Sequence, residues 1–297
     1  MRLVTDSSFG ALCATVSALA WAVIGLLVRH LSPAFNSLTL NAVRSLLGGA
    51  LIVLWVGMAD GFAEMFAMSA RAFWLLAASM LLAVGVGDTV FFESTRGLGL
   101  ARAMTLSMTY PLIAALLAVA VLGEALTLRV ALGSLVTLSG VALTVGGPKG
   151  GDPAVRGSVR LGVVAALLAS IAWAVSVVML KPSLEEVDAI RAQAVRLPLA
   201  GLILGATPWA WRLRVPLRSH GPRMLWRLAA LGALTAISSV AFVAGVKHAG
   251  VAVATVLSSV APIFAIPLGI LFLGERPTVR TVGGTIVTIL GIVILQR

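Results

Sequence analysis

The chain has 297 residues, 60% of them hydrophobic and 11% charged, and its mean hydropathy is +1.06. Soluble domains of this size carry about a quarter charged residues, so there is too little polar surface here to cover a globule in water, and the composition points to a membrane. The formal net charge of +11 does not indicate nucleic acid, because Lys and Arg sit in short connections between apolar runs, where membrane helices meet anionic headgroups.

A helix crossing the hydrocarbon core needs about 20 apolar residues. Taken in chain order, the runs that meet this are Gly10–Val28, Leu38–Val56, Phe73–Phe92, Ala103–Leu122 and Val130–Val145, then Leu161–Leu180, Gln193–Trp211, Leu228–Val246, Val251–Leu273 and Thr281–Leu295. The first run follows Arg2 and contains Ala18-Leu19-Ala20, which resembles a signal-peptide cleavage site. It is longer than a signal h-region, however, and a near copy of it stands in the middle of the chain. Between the fifth and sixth runs lies Gly146-Gly147-Pro148-Lys149-Gly150-Gly151-Asp152-Pro153, whose glycines and prolines cannot continue a helix. A second polar connection, from Arg212 to Arg227, holds five arginines.

The chain repeats itself. A shift of 152 residues places Gly10 on Gly162, Ala20-Trp21-Ala22-Val23 on Ala172-Trp173-Ala174-Val175, and Ala42-Val43-Arg44 on Ala194-Val195-Arg196. Further along, a shift of 151 places Gly99 on Gly250, Pro111 on Pro262, and Leu122-Gly123-Glu124 on Leu273-Gly274-Glu275. Matched leucines mean little in this composition, but Trp, Arg, Pro and Gly-Glu in one order mean duplication. The expected division is residues 1–146, a linker 147–158, and residues 159–297. Five spans per copy is an odd number, so the second copy enters the membrane from the opposite side. The expected architecture is all-α, ten transmembrane helices in two inverted five-helix repeats. Such repeats can expose a central site first to one side and then to the other, which makes transport of a small molecule the leading reading.

These residues resemble the drug/metabolite transporter superfamily, in its branch with two EamA-type domains. The resemblance rests on Trp21 and Trp173, Arg44 and Arg196, and Ala101…Pro111…Leu122-Gly123-Glu124 with Ala252…Pro262…Leu273-Gly274-Glu275. It implies export, or sometimes uptake, of amino acids or related metabolites, driven by an ion gradient or by exchange. It also implies a multi-pass protein of the plasma membrane, in a bacterium the inner membrane. Orientation divides the two kinds of argument. The Arg212–Arg227 connection would sit inside by charge, whereas the resemblance implies cytoplasmic termini and puts it outside.

Arg44 and Arg196 are charged groups in apolar spans, where an Arg costs roughly 2.5–3.5 kcal/mol on insertion scales. They either hold an anionic group of the substrate or snorkel, since both lie within about two turns of the start of their span. Asn41 and Gln193 precede them by three residues, on the same helical face. Asp88 and Glu93 have Ser239 and Ala244 as counterparts, so the repeat does not require them. A carboxylate within a span can take up and release a coupling proton, although Glu93 can also pair with Arg96. Pro111 and Pro262 are expected to kink spans four and nine, and with them Tyr110 and Ser258 become candidates for the lining of a cavity. Trp21 and Trp173 are mid-span, either walls of that cavity or core packing. Glu124 and Glu275 are expected in loop ion pairs with Arg129 or Arg280. Gly133, Thr137 and Gly140, with Gly284, Thr288 and Gly291, read as close packing of spans five and ten.

Other chemistry finds little support. The single Cys13, in an apolar run, rules out a disulfide framework and reads as a small core residue. No phosphate loop for ATP is present. His30, His220 and His248 are scattered, so neither a metal nor a cofactor is expected. The expected partners are a small-molecule substrate, the lipid bilayer and a coupling proton, with no nucleic acid. The competing classes are a membrane-embedded enzyme acting on a lipid-linked substrate, which lacks a nucleophile–base set, and a structural membrane subunit. Neither accounts for the inverted duplication.

Overall fold

The structure, a computed structural model, describes residues 2–31, 34–98, 106–107, 109–145, 158–211, 221–273 and 279–296. The Gly/Pro linker, Ala101, most of the Arg212–Arg227 connection and Glu275 lie outside the described residues. The described helices are α1 (Arg2–Leu31), α2 (Ser37–Ala59), α3 (Ala70–Met80), α4 (Thr89–Leu98), α5 (Tyr110–Leu122), α6 (Leu128–Val145), α7 (Val159–Leu180), α8 (Ala189–Gly205), α9 (Pro222–Ser258), α10 (Ala261–Leu273) and α11 (Val279–Gln296). Among the described residues, five helices are long and apolar enough to cross a membrane, and three shorter apolar helices accompany them.

Polar residues set the helix starts where apolar pattern alone would not. The Asn36 side chain accepts from the backbone N–H of Thr39 at the head of α2, Ser69 from that of Ala72 at the head of α3, and Asp188 from those of Ile190 and Arg191 at the head of α8. Each satisfies a donor that the first turn leaves orphaned.

Three spans depart from expectation. In the run Ala103–Leu122 the described residues Leu106 and Ser107 are helical, Thr109 is a turn, and the helix Tyr110–Leu122 starts with Pro111 in its first turn, where the missing proline N–H is needed by nothing. Pro262 is likewise the second residue of α10, after a turn at Ser259 and Val260. Both prolines therefore start helices instead of kinking them. The run Val251–Leu273 is correspondingly split, and the prolines inside helices are Pro198 and Pro267. Within α9 the backbone turns at Gly250, whose φ of 83° is open to glycine.

Contacts between the halves repeat under exchange of the two copies. Helix α1 packs on α9, and its counterpart α7 packs on α3 and α4; α2 packs on α8, and α6 on α11. A Cβ on Gly49 would come within 2.7 Å of Pro198 N, and one on Gly201 within 2.7 Å of Leu46 N. Similarly, a Cβ on Gly140 would strike Thr288, and one on Gly291 would strike Thr137. In both pairs the residue numbers rise along one helix as they fall along the other. Counterpart helices are thus antiparallel, and the two-fold relating the copies runs across the helices. Small residues allow this approach, which in lipid replaces the hydrophobic effect as the source of helix association.

Residues 70–98 form one unbroken helical course whose middle, Leu81–Asp88, is a π-helix. This explains the slip in the repeat. The helix heads Ala70 and Pro222 are 152 apart, while Gly99 and Gly250, after the other end, are 151 apart. The first copy therefore holds one extra residue inside this course, and a π turn, bonding five residues back rather than four, absorbs it.

Candidate functional site

The π segment delivers a carboxylate to a buried arginine. Arg44, on α2, is 8% exposed. Its Nε donates to Asn41 Oδ1 at 2.7 Å, one turn earlier, and its Nη2 donates to Asp88 Oδ2 at 3.2 Å, at the end of the π segment. Its guanidinium carbon lies 5.0 Å from the Trp21 ring centroid, a cation–π distance. An unpaired charge here would be costly, and the pair relieves that cost.

Asp88 is held from its other side by the second half of the chain. Trp173 Nε1, on α7, donates to Asp88 Oδ1 at 3.0 Å and to the Ala83 carbonyl, inside the π segment, at 3.1 Å. Phe91 packs on the Trp173 ring at 5.3 Å and Tyr110 stands edge-on to it at 5.9 Å. The Tyr110 hydroxyl in turn donates to the Thr255 carbonyl at 3.3 Å. One cluster of Trp21, Asn41, Arg44, Asp88, Tyr110 and Trp173 thus draws on α1, α2, the π segment, α5 and α7, and reaches α9 through the tyrosine hydroxyl.

The second arginine stands apart. Arg196, on α8, is 4% exposed; its Nη1 donates to Gln193 Oε1 at 3.2 Å and its Nε to Ser79 Oγ at 3.1 Å. The Ser79 carbonyl accepts from Ser176 Oγ at 2.7 Å, one turn beyond Trp173 on α7. Among the described residues no carboxylate lies within ion-pair distance of Arg196.

Trp21 and Gly25 are exposed, unlike their counterparts on α7. Along α1, Ser17, Ala18 and Ile24, within about one turn of Trp21, are buried against the protein, yet Trp21 is 45% exposed. A Cβ placed on Gly25, one turn on, would meet nothing within 4 Å. At the corresponding place on α7, Val177 is buried, and a Cβ on Gly87 would strike the Trp173 ring. Space is open beside one tryptophan and filled beside the other.

Besides Arg196 and Gln193, two more of the expected site residues are outside this cluster. Glu93 is exposed on α4, and the Ser258 hydroxyl turns back onto the Ala254 carbonyl at 2.7 Å. Glu124 also differs from expectation, since its partners are not basic residues of its own loop. Both its carboxylate oxygens lie 3.1 Å from the Val251 N–H, just after the break at Gly250, and Oε1 lies 4.0 Å from Lys181 Nζ. Lys181 donates to the Val246 and Lys247 carbonyls at 2.8 and 3.1 Å, so the pair caps both sides of the break. Sequence reasoning missed Ser79, Ser176, Phe91 and the π turn; the slip from 152 to 151, with Gly85 and Gly87 beside it, was the available signal.

A model of the EamA-like transporter family matches residues 8–146 and again residues 160–297. Over 284 residues the chain is 25% identical to a protein of Archaeoglobus fulgidus named an uncharacterized transporter, a match covering 96% of each. A crystal structure of a protein 19% identical in sequence is similar with a TM-score of 0.80, covering 96% of this chain and 94% of the other, which is a likeness of fold.

Proposed function

This chain belongs to the EamA-like transporter family, whose model covers both of its halves, and on that premise we propose that it is a secondary transporter that carries a small polar metabolite, an amino acid or related compound, by alternating access and chiefly outward. As a family member it is a multi-pass membrane transporter; the metabolite, the direction and the cycle are the proposal. The working units are residues 1–146 and 159–297, joined by the linker 147–158, and the protein acts without catalysing a reaction. We place it in a plasma membrane, the inner membrane of a bacterium.

The observation that carries this reading is the Arg44–Asp88 ion pair at 3.2 Å, with Trp21 beneath the arginine and Trp173 bonded to the carboxylate. A charge pair inside a span is expensive and marks a substrate or ion pathway. Here both partners belong to the first half, Trp173 of the second half bonds to Asp88, and Trp21 beside the pair is exposed. Asp88 is the proton-exchanging group in this scheme and Arg44 binds a substrate carboxylate when Asp88 is released. The antiparallel counterpart helices supply two conformations of similar energy, because each half can take up the other's arrangement.

The test is a metabolite profile inside and outside cells producing the wild type, Arg44→Lys, or the double variant Arg44→Gln/Asp88→Asn, each at equal membrane abundance. We expect one metabolite to be redistributed by the wild type and lost with the double variant. Redistribution by all three would remove the pair from the mechanism. None by the folded wild type across several media would favour a structural subunit or an enzyme.

A further inference from the structure

Arg196 carries a charge that the chain does not balance. Arg44 and Arg196 are the only buried charged residues among the described residues. Asp88 neutralises the first. It cannot serve the second, because Arg196 bonds to Ser79, nine residues earlier on the same helical course and more than about 10 Å away along its axis. The partners that Arg196 does have, Ser79 and Gln193, are neutral. Its Nη2 has no hydrogen-bond partner among the described residues, and it is not one of the sealed, unpartnered side-chain atoms. Arginine does not escape this cost by losing its proton. Neutral hydrogen bonds do not replace a counter-charge for a buried cation.

We propose that the transported solute is a carboxylate of net negative charge, and that Arg196, with Gln193 and Ser79, is the station that receives it. This rests on the transporter reading above and narrows it: a dicarboxylate or an acidic amino acid fits, while a zwitterion or an organic cation does not. Arg196 then acts with Arg44 in sequence. The pair at Asp88 leaves Arg44 closed to anions in this arrangement, so Arg196 is the vacant cation, one turn of α7 away from Trp173 through Ser176 and Ser79. The guanidinium fork suits a carboxylate through two parallel hydrogen bonds.

The test uses the purified full chain in phosphatidylethanolamine/phosphatidylglycerol proteoliposomes, with counterflow of radiolabelled L-glutamate, L-aspartate, succinate, L-alanine, L-serine and L-lysine. Protein-free liposomes give the baseline, and chloride is replaced by sulfate in a parallel set. We expect at least one of the net-anionic solutes to be exchanged at least tenfold faster than any zwitterion or lysine. Arg196→Gln should reduce that anion's rate at least tenfold, with Arg196→Lys recovering part of it. A solute without net negative charge carried best would overturn the proposal and leave the transporter reading standing. So would anion exchange indifferent to Arg196→Gln. Zwitterion exchange that requires chloride would also overturn it, assigning the site to an inorganic anion. Should Arg196→Gln fail to fold, the charge ranking of the wild type decides alone. If the wild type carries none of these solutes and redistributes none in cells, both readings fall.

Discussion

Trp21 with Arg44 and Trp173 with Arg196 are copies of one another in sequence and unlike in structure. The first tryptophan faces open space and lies under its arginine; the second is packed against the π segment and bonds to Asp88. Each arginine takes its nearest amide as a partner, Asn41 for Arg44 and Gln193 for Arg196. Only Arg44 has a carboxylate. The two-fold pattern of packing survives at the glycine contacts, so the scaffold is duplicated while the site is not. A single extra residue in one copy accounts for much of this. Each residue added to a helix rotates the side chains beyond it by about 100°, and the π turn brings Asp88 round toward Arg44 without moving the helix ends.

The largest effect expected from breaking this asymmetry is on the ion pair. Arg44→Gln leaves a buried carboxylate without its cation, which costs about 3–5 kcal/mol in comparable sites. Asp88→Asn in the same chain should return much of it. Equilibrium unfolding in mixed micelles, as a double-mutant cycle, measures the coupling; single effects that simply add would show that the two side chains do not depend on one another. Deleting Gly85 tests the register argument directly. It leaves a constant offset of 151 and should cut transport at least tenfold by turning Asp88 away, at unchanged membrane insertion. Unchanged transport by the deletion variant would detach the π turn from the site.

Trp173→Phe and Trp21→Phe sharpen the comparison at a smaller scale. The first removes a donor shared by Asp88 and the Ala83 carbonyl and should destabilise by about 1–3 kcal/mol. The second keeps a ring beneath Arg44 and should cost less than about 1 kcal/mol. Thermal unfolding of the two in detergent should therefore differ; equal shifts would mean that the hydrogen bonds of Trp173 contribute little.

Much of the scaffold could be read from sequence, because duplication repeats the residues that packing constrains most. Gly133, Thr137 and Gly140, with Gly284, Thr288 and Gly291, were expected to let spans five and ten pack closely, and the structure pairs Gly140 with Thr288 and Gly291 with Thr137. The EamA-type resemblance was legible from the paired Trp, Arg and Gly-Glu motifs. The candidate cluster was legible in part. Arg44, Asp88 and the tryptophans stood out as charges and rings in apolar runs, but hydropathy does not tell which face of a helix meets which neighbour. The slip in the repeat gave a number and no location until both helix heads were known. Pro111 and Pro262 misled for a related reason. Proline interrupts a long apolar run whether it kinks one helix or begins the next, and only the backbone distinguishes the two. Glu124 was expected to pair within its loop, whereas the break at Gly250 presents a free N–H that no sequence pattern announces.

The smallest effect concerns an exposed contact between the halves. Glu186, just before α8, accepts from the Ser69 N–H at 2.7 Å and from its hydroxyl at 2.8 Å, and these bonds hold its carboxyl below the usual glutamate range. Ser69 is also the cap of α3, so this bond ties the head of one half's helix to the other half. For a group whose folded pKa is depressed, the stabilisation is fully present above the unfolded value and is lost as pH falls through the folded one. The contact should therefore be intact at neutral pH and released only well into the acid range. Hydrogen exchange at the Ser69 amide, measured from pH 7 downward and corrected for intrinsic rates, should show protection that Glu186→Gln weakens at pH 7. The two chains should converge at low pH, where the glutamate is itself neutral. Equal protection at neutral pH would mean that the serine amide is held by the fold around it and that the carboxylate adds nothing to the junction of the two halves.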